Sequence, residues 1–181
     1  MLEMQKESSQ SNSILSIIRG WKMQEYIIRE MRVDEYYLLE DFLYEAIFQK
    51  DENKLLPREV IKHPSLNVYI EDFGARPHDY CLCAEIGEKV AGAVWVRVIN
   101  GFGRVDNETP EFAISLYKEY RGRGIGTALM ANMLKLLGEK GYKKTSLAVQ
   151  KDNYALRMYE HLGFQRISES KEEYIMEYYF S

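Results

Sequence analysis

The sequence predicts a single mixed α/β domain with a largely antiparallel sheet flanked by helices. Its length of 181 residues, 46% of them hydrophobic and 29% charged, suits one core that buries most of the apolar surface. Strand-like segments alternate with segments of helical period along most of the chain. In the second half, a long helical segment separates two strand-like segments, which implies one parallel step in the sheet.

The first residues are predicted to lie outside the folded domain. Residues 1–12 are polar and rich in Ser, Gln and Glu, so they can bury little and are expected to be disordered unless a partner holds them. Residues 14–21 are more apolar and suit either a short helix or a leading segment. We expect an N-terminal extension over residues 1–22 and the folded domain over residues 23–181.

The first half of the domain is predicted to hold three strands and three helices. Asp34 and Pro57 fit the starts of the first two helices, and Gly74 fits the end of the third. Gly87 and Glu88 separate two strand-like segments, which favours an antiparallel hairpin. The predicted elements are a strand over 25–31, helices over 33–50, 55–63 and 65–73, and strands over 79–86 and 89–99.

The second half is predicted to alternate between strands and helices after one long loop. Residues 100–110 contain two glycines, two asparagines and a proline, which is typical of a loop. A loop of this length is a candidate for shaping a substrate pocket. The elements predicted after it are strands over 111–117 and 143–149, helices over 124–140 and 153–162, and strands over 164–168 and 173–180.

Composition argues against several classes of function. The formal net charge is −4, whereas nucleic-acid-binding domains usually concentrate an excess of Lys and Arg on one face. No apolar stretch approaches the roughly 20 residues that span a bilayer, and the first residues lack the pattern of a signal peptide. We therefore expect no nucleic-acid partner, no membrane partner and a cytoplasmic location.

The cysteines and histidines show no pattern of a metal site. Cys81 and Cys83 are the only two cysteines and stand one residue apart, which on a strand points both side chains to one face and disfavours a disulfide between them. The three histidines, His63, His78 and His161, are scattered without the spacing of zinc ligands. We expect no bound metal.

A glycine-rich turn is the strongest candidate for a binding site. Residues 120–126 (YRGRGIG) follow a strand-like segment and open a helix whose apolar residues recur at helical spacing. Glycines at such a junction let backbone N–H groups approach an anion, and the helix start adds partial positive charge. Arg121 and Arg123 add full charge, so a pyrophosphate would fit. The alternative is a tight turn that needs glycine only for its dihedral angles.

Two common phosphate-binding motifs do not match this turn. Gly122 and Gly124 are followed by Gly126 and then by Thr127, where the dinucleotide motif G-x-G-x-x-G requires its last glycine. The turn also lacks the Gly-Lys-Ser or Gly-Lys-Thr of a P-loop. These departures argue against a Rossmann dehydrogenase and against a P-loop enzyme.

The turn resembles the acetyl-CoA signature of the GNAT superfamily of N-acetyltransferases, (Arg/Gln)-x-x-Gly-x-(Gly/Ala). Arg121, Gly124 and Gly126 match that signature, and a strand-like segment precedes them. Residues 153–164 (NYALRMYEHLGF) are similar to a second characteristic stretch of the superfamily, and a looser resemblance extends over residues 24–180.

The resemblance implies a sheet that splays between its fourth and fifth strands, with acetyl-CoA as co-substrate. The pantetheine arm would bind along the backbone of the fourth strand as an added strand would, and the pyrophosphate would rest on N–H groups of the turn. Lys118 departs from the proline often found at that position, in the approach to the turn. The implied cofactor-binding residues are Leu116, Tyr117, Arg121, Gly122, Arg123, Gly124, Ile125, Gly126, Thr127, Asn153 and Tyr159.

Tyr159 is the candidate proton donor to the departing thiolate. A phenol with a reference pKa of about 10 is protonated at pH 7 and can donate as charge develops on the sulfur. Its position matches the tyrosine of the family. Tyr159 also shares one stripe of the predicted helix with Ala155 and Leu162, so a packed core aromatic is the alternative interpretation.

Glu111 is the candidate base for the acceptor amine. It opens the predicted fourth strand, where some relatives in the family carry an acidic residue that takes the proton of the amine. A charged residue at a strand start is more often simply solvated. Ser115 lies on the same face of the strand and could hold a bridging water, and a backbone N–H near Leu116 would polarise the thioester carbonyl.

The sequence therefore predicts transfer of an acetyl group from acetyl-CoA to a primary amine by direct attack in a ternary complex. The alternatives are a non-catalytic acyl-CoA-binding or regulatory module and a transferase for a longer acyl-CoA. The acceptor, a small-molecule or peptide amine, stays open, and a homodimer is an expectation from analogy alone. One acidic group could favour a cationic acceptor or be a solvated helix face; its members are Glu40, Asp41, Glu45, Asp51 and Glu52.

Overall fold

A computed structural model describes residues 25–51 and 53–181 of the protein. The extension predicted over residues 1–22 lies outside the described residues. The strands are β1 (Tyr26–Glu30), β2 (Tyr80–Ile86), β3 (Lys89–Arg97), β4 (Glu111–Leu116), β5 (Lys144–Gln150), β6 (Gln165–Glu169) and β7 (Glu173–Tyr179). The α-helices are α1 (Leu39–Ala46), α2 (Pro64–Asn67), α3 (Ile125–Glu139) and α4 (Leu156–Leu162), and the 3-10 helices are Val33–Leu38, Arg58–Lys62 and Lys118–Tyr120.

The seven strands form one mixed sheet. Their order is β1-β2-β3-β4-β5-β7-β6, and β4 and β5 form a parallel pair while the other neighbours are antiparallel. Helix α3 connects β4 to β5, which is the crossover that a parallel step requires. The predicted fold class, a mixed and mostly antiparallel sheet flanked by helices, is confirmed.

The parallel pair of strands separates almost as soon as it forms. Strands β4 and β5 share one register position, Glu111 with Ser146, and the N–H of Ser146 donates to the carbonyl of Pro110 at 3.0 Å. On its other side, β4 pairs with β3 along its whole length. A gap therefore opens between β4 and β5 beyond Glu111, as the resemblance implies.

Two hydrophobic cores lie on opposite faces of the sheet. On one face, α3 contributes the fully buried side chains of Leu129, Met130 and Met133, and it packs on Phe112 of β4. The other core surrounds Trp95 of β3 and includes side chains of α1. Because side chains alternate along β4, Glu111 lies on the α1 face of the sheet and Phe112 lies on the α3 face.

The helices of the first half differ from the predictions. The helix predicted over 33–50 is a 3-10 helix followed by α1, which ends at Ala46. Hydrogen bonds to Glu35 account for the difference: Glu35 is buried, and its carboxylate accepts from the N–H of Arg32 and from Arg29 of β1, which also donates to Glu85 of β2. These hydrogen bonds turn the chain tightly after β1, so residues 33–38 form a 3-10 helix in place of the first turns of the predicted α-helix.

Two further helix predictions were too long. The segment predicted over 55–63 holds one 3-10 helix, because Pro57 has an extended ψ of 144° and precedes the helix as its cap. The segment predicted over 65–73 contains α2 and then turns that end at Gly74, whose φ of 92° favours glycine. None of the described helices is long and apolar enough to cross a membrane.

Candidate active site

The backbone of β4 presents alternate N–H groups to its two neighbouring strands. The N–H of Tyr117, just past the strand, donates to the carbonyl of Ala91 at 3.1 Å, so the odd-numbered residues of β4 face β3. The N–H groups of Ile114 and Leu116 therefore face the gap beside β5. Leu116 fits the predicted pantetheine contact, whereas Tyr117 offers no N–H to the gap.

The glycine-rich turn joins β4 to α3 at the open end of the gap. Gly122 and Gly124 have φ values of 73° and 78°, and a Cβ on either would meet nothing within 4 Å. Their backbone conformation, rather than crowding, therefore requires glycine. Helix α3 starts at Ile125 with no side-chain cap, so the first N–H groups of the helix are left to an external acceptor.

The start of α3 lies directly against the gap. A Cβ on Gly126 would stand 3.3 Å from Leu116 Cδ1 and 3.7 Å from Met158 Sδ. Gly126 thus fits between β4 and α4, and a Cβ there would require the side chain of Leu116 to move by a few tenths of an ångström. The backbone of the turn and the edge of β4 are held together, as one pantetheine and pyrophosphate site would require.

The two arginines of the turn have different environments. The Nε atom of Arg121 donates to the carbonyl of Leu116 at 2.9 Å, and its Nη2 atom donates to Glu45 Oε2 at 2.7 Å. Arg121 therefore ties the turn to α1, and its charge is balanced by a carboxylate. Arg123 is exposed beside the ring of Tyr120, so it carries the full positive charge that the turn offers to solvent.

Asn153 and Tyr159 lie on the far side of the gap. The side-chain oxygen of Asn153 accepts the N–H of Ala155 at 2.9 Å, so its amide nitrogen is the group left to contact a ligand. This local turn explains why α4 begins at Leu156 and not at Asn153. The predicted contact between Asn153 and pantetheine stays a prediction.

Tyr159 is a packed aromatic residue. It is 8% exposed, and its ring meets that of Phe164 with centroids 6.0 Å apart. Burial raises the pKa of Tyr159, which keeps the phenol protonated. Tyr159 can therefore both pack in the core and keep the proton that it would donate.

Glu111 is enclosed, so the solvated alternative is wrong. The residue is 2% exposed, and its Oε1 atom accepts the hydroxyl of Tyr69 and the N–H of Gly103, the latter at 2.7 Å. Its Oε2 atom is buried without a partner among the described residues. Burial raises the pKa of Glu111, although the hydrogen bonds from Tyr69 and Gly103 oppose that shift.

The environment of Glu111 comes from Tyr69, which the sequence did not indicate, and from the loop over 100–110, which was predicted to shape a pocket. The hydroxyl of Tyr69 also accepts the N–H of Phe102 at 2.8 Å, and a Cβ on Gly101 would lie 2.5 Å from both that hydroxyl and Glu111 Oε2. A Cβ on Gly103 would lie 2.7 Å from the backbone nitrogen of Ala148 in β5. The loop over 100–110 thus covers the carboxyl group of Glu111. Its Gly-Phe-Gly sequence is the feature from which such a close approach could have been predicted.

Ser115 uses its hydroxyl proton in packing. The hydroxyl donates to the carbonyl of Phe42 in α1 at 2.6 Å, and the residue is buried. Ser115 therefore helps to pack α1 on β4, and its oxygen could only accept from a bridging water, so that role stays a prediction.

Two members of the acidic group, both on α1, are more than part of a solvated helix face. Asp41 pairs with Arg58 and accepts the hydroxyl of Tyr117 at 3.5 Å, and Glu45 pairs with Arg121. Both carboxylates thus point towards the end of β4. Glu40 and Asp51 are exposed, and Glu52 lies outside the described residues.

The cysteines, His63 and His78 take part in packing and in local hydrogen bonds. Cys81 and Cys83 are free and buried on the same face of β2, as their spacing predicts. His63 accepts the N–H of Ser65 at the start of α2, and His78 contacts the hydroxyl of Tyr142. Among residues 25–51 and 53–181, no three His, Cys, Asp or Glu side chains are grouped to hold a metal ion.

Comparison with known sequences finds one family and several partial relatives. The sequence model of the acetyltransferase (GNAT) family matches residues 28–164. A mycothiol acetyltransferase of Kocuria rhizophila is 34% identical over 80 residues, which cover 44% of this chain and 26% of that protein. An acetyltransferase of Sodalis glossinidius is 32% identical over 88 residues, which cover 48% of this chain and 58% of that protein. The alignments thus span only part of these relatives.

Comparison with solved structures finds the same fold. A GNAT-family acetyltransferase from Streptococcus pneumoniae superposes with a TM-score of 0.62 at 21% identity, covering 86% of this chain and 100% of that chain. PaiA N-acetyltransferase from Thermoplasma acidophilum, solved in complex with coenzyme A, gives a TM-score of 0.62 at 20% identity over 86% and 99% of the chains. Since the family model covers most of the described chain and the fold agrees, this protein belongs to the acetyltransferase (GNAT) family.

Proposed function

We propose that this protein transfers the acetyl group of acetyl-CoA to a primary amine by direct attack in a ternary complex. One observation carries the proposal: β4 and β5 separate beside an uncapped helix start, and β4 directs the N–H of Leu116 into the gap. A thioester arm that adds to the edge of β4 and an anion at the helix start would occupy one continuous site.

The predicted co-substrate residues fit this arrangement. The backbone of Leu116 would receive the pantetheine arm, and the N–H groups of residues 122–127 would receive the pyrophosphate, with Arg123 adding charge. Family members support the assignment, since PaiA from Thermoplasma acidophilum and a Salmonella typhimurium structural neighbour were solved with coenzyme A and acetyl-CoA. The ion pair between Arg121 and Glu45 would hold the turn in place.

The chemistry needs one group that accepts a proton and one that donates a proton. Glu111 would accept a proton from the ammonium form of the acceptor, and the neutral nitrogen would then bond to the thioester carbonyl carbon. As the carbon–sulfur bond breaks, Tyr159 would donate its hydroxyl proton to the thiolate, and the proton lost from the new amide nitrogen would restore the phenol. The N–H of Ile114, which also faces the gap and lies nearer to Glu111 than Leu116 does, would stabilise the carbonyl oxygen as it gains charge.

The acceptor would approach from the α1 face of the sheet, because Glu111 lies on that face. Asp41 and Glu45 lie beyond the other end of β4, where each is already paired with an arginine, so their carboxylates give no preference for a positively charged acceptor. An Escherichia coli protein with a similar fold is named ribosomal-protein-S18-alanine N-acetyltransferase, so its acceptor is a protein amine. Small amines and peptide amines both deserve testing.

A thiol-release assay tests the proposal. Acetyl-CoA is supplied with a panel of polyamines, aminoglycosides, amino acids and short peptides, and the variants Tyr159→Phe and Glu111→Gln are compared with wild type. Tyr142→Phe is the matched control, because its hydroxyl contacts His78 away from the gap. We expect each site variant to lose about 10²- to 10⁴-fold in kcat while still binding acetyl-CoA.

Three results would count against the proposal in different ways. Absence of acetyl-CoA binding to the wild-type protein, measured by calorimetry, would refute the site itself. Tight acetyl-CoA binding without turnover on any acceptor would favour a binding or regulatory module. Turnover that survives in Tyr159→Phe would remove that residue from the mechanism.

A further inference from the structure

Four buried polar residues lie in register across the centre of the sheet. Arg97 of β3 pairs with Glu111, Glu111 pairs with Ser146 of β5, and Ser146 pairs with Glu177 of β7. Their exposed fractions are 0%, 2%, 0% and 3% in that order. Because register partners of paired strands point to the same face, their side chains form one row on the α1 face of the sheet.

The two ends of this row are satisfied by neighbouring groups. Arg97 makes a bidentate ion pair with Asp79 at 2.8 and 2.9 Å and donates to the carbonyls of Val68 and Glu71. Glu177 accepts Lys144 Nζ at 2.7 Å through Oε1 and the hydroxyl of Tyr179 through Oε2.

The two middle residues are not satisfied. Glu111 Oε2 and Ser146 Oγ are the buried side-chain oxygen or nitrogen atoms that lack a hydrogen-bond partner among the described residues. An unsatisfied buried polar group is costly in a native protein. Two such atoms on adjacent, paired residues indicate a shared partner that can donate to the carboxylate and bond to the hydroxyl.

The position of the pair matters for the reaction. Glu111 and Ser146 are the one register pair of β4 and β5, so they lie at the apex of the gap. The loop closes the other side, where Gly101 approaches Glu111 and Gly103 approaches β5. A small polar molecule held by the two oxygens would therefore have its open side towards the gap.

We propose that Ser146 is a positioning residue that, together with Glu111 Oε2, holds one water at the apex of the gap, and that this water carries the acceptor's proton to Glu111. This inference rests on the proposed function. The ammonium form of the acceptor gives a proton to the water oxygen as the water gives a proton to Glu111 Oε2. The products are a neutral amine, a water molecule and a neutral carboxylic acid, so protons and charge balance.

Other charged and titratable groups surround Glu111, and the test must separate them from Ser146. Those from the packed elements are Tyr69, Asp79, Arg97, Asp106, Lys144 and Glu177. All of them are present in wild type and in a Ser146 variant. A change caused by removing one hydroxyl can therefore be assigned to that hydroxyl or to the water that it holds.

The first experiment needs no enzymatic activity. The side-chain carboxyl of Glu111 is titrated by 13C NMR in wild type, in Ser146→Ala and in the matched control Thr145→Val. Thr145 has a buried hydroxyl on the same strand but on the other face, where it donates to the carbonyl of Pro110. We expect the midpoint of Glu111 to rise in Ser146→Ala, because a donor to the charged form is lost, and to stay unchanged in Thr145→Val.

The second experiment is a double-mutant cycle on acetyl transfer. Ser146→Ala alone should lower kcat by about tenfold, leave KM for acetyl-CoA unchanged, and move the acidic limb of the pH profile upward. In the Glu111→Gln background, Ser146→Ala should cost less than about twofold, because a residue that acts through Glu111 has nothing further to lose. Losses that multiply in the double variant would overturn the proposal.

The outcomes distinguish the two proposals. An identical Glu111 midpoint in wild type and Ser146→Ala would overturn the water site, whether or not the enzyme turns over. A raised midpoint in a protein that transfers no acetyl group would support the Glu111 and Ser146 site and refute the proposed function. Circular dichroism and thermal unfolding of each variant confirm that the comparison is made between folded proteins.

Discussion

At the scale of single residues, the site depends on how a buried carboxyl group is supported. Glu111 receives two hydrogen bonds through one oxygen, from Tyr69 and from Gly103. Hydrogen bonds to a carboxylate stabilise its charged form, whereas burial disfavours that form. The balance leaves the pKa of Glu111 raised, which suits a group that must both accept and release a proton near neutral pH.

Replacing Tyr69 with Phe tests this balance. The substitution removes the hydroxyl that donates to Glu111, so the pKa of Glu111 should rise further and less of the group should be charged at a given pH. We expect the acidic limb of the pH profile of kcat/KM to move to higher pH, with activity recovering as the pH is raised. The control is Tyr142→Phe, and an unshifted limb in Tyr69→Phe would show that Glu111 does not set it.

The buried ion pair of Arg97 and Asp79 is a second feature at this scale. Both side chains are 1% exposed, so removal of the carboxylate would leave a buried charge without compensation. We expect Asp79→Ala to lower the free energy of unfolding by about 3–5 kcal/mol, measured by urea denaturation. The control is Asp34→Ala, which removes an exposed pair with Arg32 and should change stability within experimental error; equal effects would contradict the argument.

At the scale of secondary-structure elements, the loop over 100–110 joins the two sides of the site. Gly103 donates its N–H to Glu111 and packs against the backbone of β5. The loop therefore sets the position of the carboxyl group and closes one side of the apex. A change of backbone position in the loop should affect stability and catalysis together.

Gly103→Ala tests this role of the loop. Its Cβ would meet the backbone of Leu147 and Ala148 at 2.7 Å, a contact that no side-chain movement relieves. We expect a loss of about 1–3 kcal/mol in the free energy of unfolding and a lower kcat. Gly138→Ala is the matched control: inside α3 its Cβ would have ordinary contact with Phe180 at 3.4 Å, so it should stabilise by roughly 0.5–1 kcal/mol.

The secondary-structure elements also show which parts of the fold could be predicted from the sequence. Strands β2, β3 and β4 and helix α3 were predicted to within about two residues, because their periodicity and glycine boundaries are local. The helix predicted over 33–50 was wrong at its start because Arg29, which binds Glu35, is itself held by Glu85, 56 residues away in the chain. The hydrogen bond from Tyr69 to Glu111 was missed for the same reason, since the two residues are 42 apart in the chain.

At the scale of the whole molecule, the sheet carries a row of four buried polar side chains on its α1 face. This row does not contribute apolar burial, and one carboxylate oxygen in it lacks a partner among the described residues. Active sites commonly keep such groups at the expense of stability. The stability of the whole protein should therefore reveal the cost of keeping Glu111 ionisable.

Glu111→Gln tests that cost through the pH dependence of unfolding. A carboxyl group whose pKa is raised on folding binds its proton more tightly in the native state, so its contribution to stability falls as pH rises from about 4.3, the ordinary value, through the folded pKa. Glutamine does not titrate, so the variant should gain stability relative to wild type as pH increases over that range. Urea denaturation between pH 4 and pH 8 measures the difference, and shifts in other groups cancel because both proteins share them. A constant separation between wild type and Glu111→Gln would mean that Glu111 titrates equally in the folded and unfolded states.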